Sequence, residues 1–352
     1  MTRRSVTPDL VVLLAGKMCY QHPMSIDIHA HCVPAEAVDI IRRDGAEIGV
    51  EVNDDGTATV AGRPLAMALH PALSDRGARL AAMDRSGVEQ QVLSPWIDFT
   101  AYRLDPDRGA RWSRLLNEAL AAEAASHPDR FLAIGTVPLQ SPQAAATELR
   151  NAVEQLGMVG VEVGTRVGDV YLANADLDPF WEEAARLRCL VVLHPLDPLP
   201  GIDLSSHLLH NIVGRPAEST IAVAGLLLGG LLERHPQLRM CIVHGGGFLP
   251  YQIGRMQRGW EARPEIVAAN LGTAPTDVIR KLFFDTVLHE PAAIRYLVDS
   301  VGADRVVLGT DYPFEMGDPD PIATLDSVPG LGETERTAIL SGNAHRLFAD
   351  IG

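Results

Sequence analysis

Short apolar runs recur along the chain. Each is followed by a longer stretch in which apolar residues return every three or four positions. The runs are residues 25–31 (SIDIHAH), 90–94 (QQVLS), 131–137 (FLAIGTV), 159–164 (VGVEVG), 189–194 (CLVVLH), 239–244 (RMCIVH), 281–287 (KLFFDTV) and 305–311 (RVVLGTD). The amphipathic stretches between them include 107–126, 142–156, 176–188 and 291–300. Repeated strand–helix units with continuously apolar strands predict an α/β protein whose parallel sheet is covered on both faces. Eight such runs predict a closed (β/α)8 barrel of the TIM type. A doubly wound sheet is the alternative, but no Gly-x-Gly-x-x-Gly follows the first run.

Two segments exceed a minimal barrel. Residues 33–73 form a long excursion after the first strand, and within it VEVNDDGTATVAG (50–62) reads as a hairpin turning at Asp55-Gly56. Residues 195–216 form a second irregular stretch after the fifth strand. Both leave the face where a barrel carries its chemistry, so both are placed to cover a substrate. The rest, 25–352, reads as one domain. Residues 1–24 are expected to be a dispensable extension, with Met24 as an alternative start. The run VVLLAG (11–16) is too short to span a bilayer.

The polar residues that end these apolar runs are the sharper signal. In IDIHAHCVP (26–34) the two imidazoles of His29 and His31 are two residues apart, which on a strand puts them on one face. Pro34 marks the end of that strand. The fifth run ends in His194, the sixth in His244 and the eighth in Asp311. In a barrel these ends converge on one mouth, and several imidazoles with one carboxylate suit Zn²⁺, with Mn²⁺ as the alternative. Four ligands, His29, His31, His194 and Asp311, suffice to hold one ion with a position left open. His244 is then the free imidazole, a general acid or base. Asp311 could also move protons. Gly245-Gly246-Gly247 would let substrate or backbone come close to His244.

Composition narrows the classes of partner. The 352 residues carry a formal net charge of −15, which argues against nucleic acid and anionic membranes. The four cysteines, Cys19, Cys32, Cys189 and Cys241, include no Cys-x-x-Cys. A reducing, cytoplasmic setting is expected.

The segments IDIHAHCVP, RFLAIGTVPLQSP, GRPAESTIAVAGLLLGGLLERHPQLRMCIVHGGGFLPYQIGR and RVVLGTDYPFEMGD together resemble the amidohydrolase-related metal-dependent decarboxylases, from about residue 25 to the C-terminus. The resemblance implies a distorted (β/α)8 barrel, one divalent ion and non-oxidative loss of CO₂ from an unsaturated or aromatic acid of the muconate semialdehyde or hydroxybenzoate kind. It implies the same four metal ligands and a catalytic base at His244. It also implies that Arg255, in IGRM, reaches a neighbouring subunit's site to bind a substrate carboxylate, so that the enzyme is a homodimer. The chain departs from the family pattern at Pro195-Leu196-Asp197, where Pro-Trp-Asp is expected, and at HLLHNIVGRPAE, which carries His207, His210 and Arg215. Arg63 is a weak counterpart of a carboxylate-binding arginine.

Phe314 and Trp96 are candidate apolar walls of the pocket, with core packing the expected job of Trp96. Two rival readings use the same residues. A hydrolase or hydratase would use the metal to activate water, with Glu162 on the fourth strand bridging a second ion. A non-enzymatic metal carrier would have no use for His244.

Overall fold

The computed structural model describes residues 25–352 apart from 66, 197, 198 and 200; the expectation for residues 1–24 and the departure at Asp197 fall outside them. The eight predicted runs form eight parallel strands, here numbered as barrel strands: β1 (Ile26–Cys32), β2 (Gln90–Pro95), β3 (Phe131–Gly135), β4 (Gly160–Gly164), β5 (Leu190–His194), β6 (Arg239–Ile242), β7 (Phe283–Asp285) and β8 (Val306–Val307). They hydrogen-bond in chain order, as the strands of a (β/α)8 barrel do.

The last strand is much shorter than the apolar run 305–311 predicts. Beyond Val307 the backbone leaves the ladder with β7 and bonds to β1 instead. Ile28 N donates to Leu308 O (2.9 Å), Asp311 N to His29 O (2.8 Å) and His31 N to Tyr312 O (2.7 Å). These bonds close the barrel, and they also set Asp311 beside the two histidines of β1.

The first strand carries a second irregularity. Its pairing with β2 shifts register between Asp27 and Ala30, a β-bulge. The bulge lets Ile26 and Ile28 join Val92, Ile134, Leu190 and Val192 in a buried apolar cluster, while His29 and His31 still share a face. Asp27 secures the kink. Its Oδ1 accepts from His29 N (3.0 Å) and Thr310 N (3.1 Å), and its Oδ2 from Gln91 Nε2 (2.8 Å) and Thr310 Oγ1 (2.6 Å). Burial lifts its carboxyl to about 6 against those bonds.

The helices used below are α1 (Ala35–Ile48), α2 (Pro106–Ala125), α3 (Pro142–Arg150), α4 (Asp178–Leu187), α5 (Arg215–Leu228), α6 (Leu249–Ala262) and α7 (Pro291–Val301). Four of them match the predicted amphipathic stretches, except that 142–156 is α-helical only to Arg150 and continues as one wider turn, Asn151–Gln155. Proline stands in the first turn of α2, α3, α4 and α7, where its missing N–H has no partner to lose. The excursion 33–73 holds the predicted hairpin, Val50–Val52 against Ala58–Val60, with Arg63–Pro64 as a third short strand. It also holds α1, whose buried Ala37, Val38, Ile41 and Ile48 have helical spacing. Gly45 inside α1 is required, because a Cβ there would meet Val50 O at 2.4 Å.

Candidate metal centre and substrate cavity

The strand ends bring His29, His31, His194 and Asp311 together. One ligand atom from each lies within 4.8 Å of all the others, and all four residues are buried. His29 Nε2 is 3.3 Å from His31 Nε2. Asp311 Oδ1 is 3.2 Å from His31 Nε2 and 3.5 Å from His29 Nε2.

Each imidazole is oriented through its other nitrogen. His29 Nδ1 pairs with Asp285 Oδ2 at 2.6 Å, His31 Nδ1 with Pro95 O at 3.0 Å and His194 Nδ1 with Pro195 O at 2.8 Å. With Nδ1 donating, the Nε2 lone pairs of His29 and His31 face the same point, as metal-binding histidines are normally held.

The donor set fits a divalent cation on two further grounds. Asp311 Oδ1 is buried and accepts no hydrogen bond, which is costly for a carboxylate unless a cation satisfies it. The ionisation pattern agrees. Burial and the neighbouring imidazoles press His194 well below the usual range. Burial alone would raise Asp311, but His29, His244 and His31 hold its carboxyl well below the ordinary range. Burial also lowers His29. His31 differs: although burial disfavours its cation, Glu162 and Asp311 raise it to about 9. Without a metal, the His31 proton balances the carboxylates.

His244 stands beside the quartet, its Nε2 3.5 Å from Asp311 Oδ2 and its Nδ1 without a hydrogen-bond partner. It and Asp311 both adopt left-handed backbone, φ 55° and 58°, a strain that non-glycine residues adopt where the surroundings enforce it. The three following glycines are all left-handed as well. A Cβ at Gly247 would meet Pro216 O at 2.1 Å and one at Gly246 would meet Phe284 at 2.7 Å. The turn therefore tolerates no side chain.

A cavity of about 230 Å³ opens on His194, His244 and Asp311. Trp96 and Phe314 supply apolar walls, with ring centroids 6.4 Å apart, and Phe314 lies 5.4 Å from His31. Trp96 also packs against Phe99 at 5.1 Å, so it serves the core and the cavity together. The two irregular segments complete the lining: Met67 and His70 from the first, Leu208, His210, Asn211 and Arg215 from the second. His70 and Asn211 were not singled out from sequence. Their signal was only their place in the two excursions.

Three sequence candidates lie elsewhere. Arg255 is exposed on α6 and is not part of this chain's cavity. Arg63 is exposed and borders a separate concavity with Arg103 and Leu196. Glu162 is buried, but its nearest approach to the quartet is 3.9 Å from His31 Nδ1, the ring edge turned away from the other ligands. Burial pushes its carboxyl up to about 8, against the pull of the neighbouring His31. It lies outside the quartet of ligand atoms.

The amidohydrolase family profile matches residues 26–349, and the chain belongs to that family. Among its relatives is 2-amino-3-carboxymuconate-6-semialdehyde decarboxylase of Dictyostelium discoideum, 33% identical over 77% of this chain and 75% of that protein. Gamma-resorcylate decarboxylase of Rhizobium sp. (strain MTP-10005) is 32% identical over 79% of this chain and 88% of its own length. In fold it is similar to 5-carboxyvanillate decarboxylase from Novosphingobium aromaticivorans, solved with bound manganese. That match has a TM-score of 0.78 at 22% identity and covers 94% of this chain and 98% of that one. The chain is a metal-dependent carboxy-lyase of the amidohydrolase kind.

Proposed function

We propose that the chain removes CO₂ from a planar unsaturated or aromatic carboxylic acid, of the aminocarboxymuconate semialdehyde or hydroxybenzoate kind. One divalent ion, Zn²⁺ by preference and Mn²⁺ as the alternative, would be held by His29, His31, His194 and Asp311. The observation that carries this reading is the pairing of that quartet with a free imidazole, His244, on an apolar-walled cavity. A bound ion supplies Lewis-acid polarisation of a substrate oxygen or of water. The chain's own residues do the rest. Phe314 and Trp96 hold the planar body and keep water away from it. Loss of CO₂ leaves an electron pair on carbon that takes up a proton. His244 is placed to take a proton from water or substrate and deliver it there, and Asp311 to share it.

Arg255 is given its family role, reaching the cavity of a second copy. Its exposure on α6 supports this, as do the exposed rings of Phe248, Tyr251 and Tyr296 nearby. A homodimer follows. Mixing His244→Ala chains with Arg255→Ala chains then restores activity through hybrid dimers, and a monomer in sedimentation would end that part of the reading. The buried free thiols of Cys32, Cys189 and Cys241 favour a cytoplasmic location. No helix among the described residues is long and apolar enough to cross a membrane.

The test of the reaction is purified protein of known metal content, incubated with muconate-type and aromatic acids while released CO₂ is recorded. Release should depend on the metal and fall by about 10²–10⁴-fold in His244→Ala with metal retained. No release from any acid would sink the proposal.

A further inference from the structure

We infer that Arg215 is the specificity residue for a second carboxylate on the substrate, so that the acid this enzyme decarboxylates is a planar dicarboxylate. The inference rests on the decarboxylase reading and narrows its substrate class.

Arg215 opens α5 and lines the cavity shared by His194, His244 and Asp311. Its Nη1 donates to Pro195 O at 2.9 Å, and the same carbonyl accepts from His194 Nδ1 at 2.8 Å. One edge of the guanidinium is thus pinned two hydrogen bonds away from a metal ligand. A guanidinium has five N–H donors, and this is the one hydrogen bond Arg215 makes among the described residues. It makes no direct ion pair among them; the buried Glu162 feels its charge, and Glu315 lines the same cavity.

A half-buried guanidinium that lines a cavity with a single hydrogen bond among the described residues is suited to an anion docking there. Arg215 is the only arginine or lysine lining the cavity among the described residues. His70 Nδ1 accepts from Ala72 N at 3.2 Å. The cavity then has two poles, a cation site at the quartet and a fixed cation at Arg215, with the rings of Trp96 and Phe314 on its walls for an apolar body. A monocarboxylate would satisfy one pole and leave the other unpaired. A flat diacid satisfies both, and its product, still carrying one carboxylate, stays held at Arg215 while the proton arrives.

The experiment is calorimetric binding to the metal-loaded full chain. The probes are inert acids: benzoate, and the 1,2-, 1,3- and 1,4-benzenedicarboxylates. At least one diacid should bind the wild type about 10–100-fold more tightly than benzoate, the range for hydrogen bonds to a charged group. Arg215→Met should abolish that preference and leave benzoate binding and metal content unchanged. Arg215→Lys, which keeps the charge but loses the fork, should retain a reduced preference. With a diacid that is turned over, Arg215→Met should raise KM with kcat changed by less than the binding loss.

Two results would overturn the inference. One is a wild type that does not prefer any diacid, which can be read even if Arg215→Met fails to fold. The other is an Arg215→Met protein that loses metal and binds all four acids equally poorly, since Arg215 would then only prop Pro195 and His194. Failure of the decarboxylase reading looks different: the diacid preference stands, and no acid releases CO₂.

Discussion

Asp285 ties the quartet to the turn that carries His244. One oxygen takes the Nδ1 hydrogen of His29, and the other accepts from Gly245 N at 2.8 Å, one residue after His244. Its carboxyl is kept below the ordinary range: burial would raise it, and His29 with its neighbours more than reverses that. Asp285→Asn should keep the fold and weaken metal affinity about 10–100-fold, read by competition with a coloured chelator. Unchanged affinity would mean that the carboxylate does not orient His29. A second expectation concerns His31. In the ion-free protein its pKa of about 9 lies above neutrality, so it holds a proton that the metal must displace. Metal affinity should therefore rise as pH rises toward about 9 and level off beyond it. Near pH 7, binding should release about one proton, measurable by calorimetry in buffers of different ionisation enthalpy. A pH-independent affinity would show that His31 binds already neutral.

The turn after β6 carries His244 and no spare volume. Gly247→Ala sets a methyl group against the Pro216 carbonyl at a φ of +64°. The expected cost is roughly 1–3 kcal/mol, read as a lower urea midpoint, with activity lost and metal content retained because all four ligands lie on other segments. An unshifted midpoint would show that α5 yields to make room. Between α5 and the strand side, the buried pair Arg166–Glu218 (2.5 Å) should be costlier to break. Arg166→Ala breaks this buried ion pair, and the expected loss is about 3–5 kcal/mol. Elements were also the scale at which the sequence was most legible. Eight apolar runs became eight strands, and the polar residues at their ends became the site, because a barrel strand's inward parity and its C-terminal end are both local properties. What escaped was non-local. The bulge at Asp27–Ala30 depends on Thr310 and Gln91, which lie far away in sequence. The short β8 depends on closure against β1. The helix α1 was hidden inside an excursion read mainly for its hairpin, although its apolar spacing was there to be seen. Arg255 and Arg63 came from the family resemblance and Glu162 from its place on the fourth strand; the packed barrel puts both arginines on the surface of this chain and Glu162 beside His31.

Across the whole molecule, the quartet joins strands that are far apart in the chain, so ion binding ties the barrel's first and last strands to its middle. Removing the ion should lower the melting temperature, since a ligand at 100 times its Kd adds about 2.7 kcal/mol to the folded state. The check is a thermal melt before and after chelation, with restoration by Zn²⁺ or Mn²⁺; identical melts would place the ion outside the folded core. Thiol reagents report on the same cooperativity. Cys32, Cys189 and Cys241 are buried, and burial lifts Cys32 to about 11 and Cys189 to about 12. At pH 8 none of the three should be labelled until the barrel opens, as peptide mapping would reveal. The division of labour between strands and excursions has one more consequence. The quartet and His244 sit on strand ends and the tight turns beside them, whereas Met67, His70, Leu208, His210, Asn211 and Arg215 belong to two segments inserted between those ends. Reactivity and selectivity are therefore written in separable stretches of polypeptide. Transplanting residues 33–73 and 195–216 as a pair into a related barrel should carry over the choice of acid while leaving the recipient's chemistry intact, which makes the two excursions a natural cassette for retargeting this kind of enzyme.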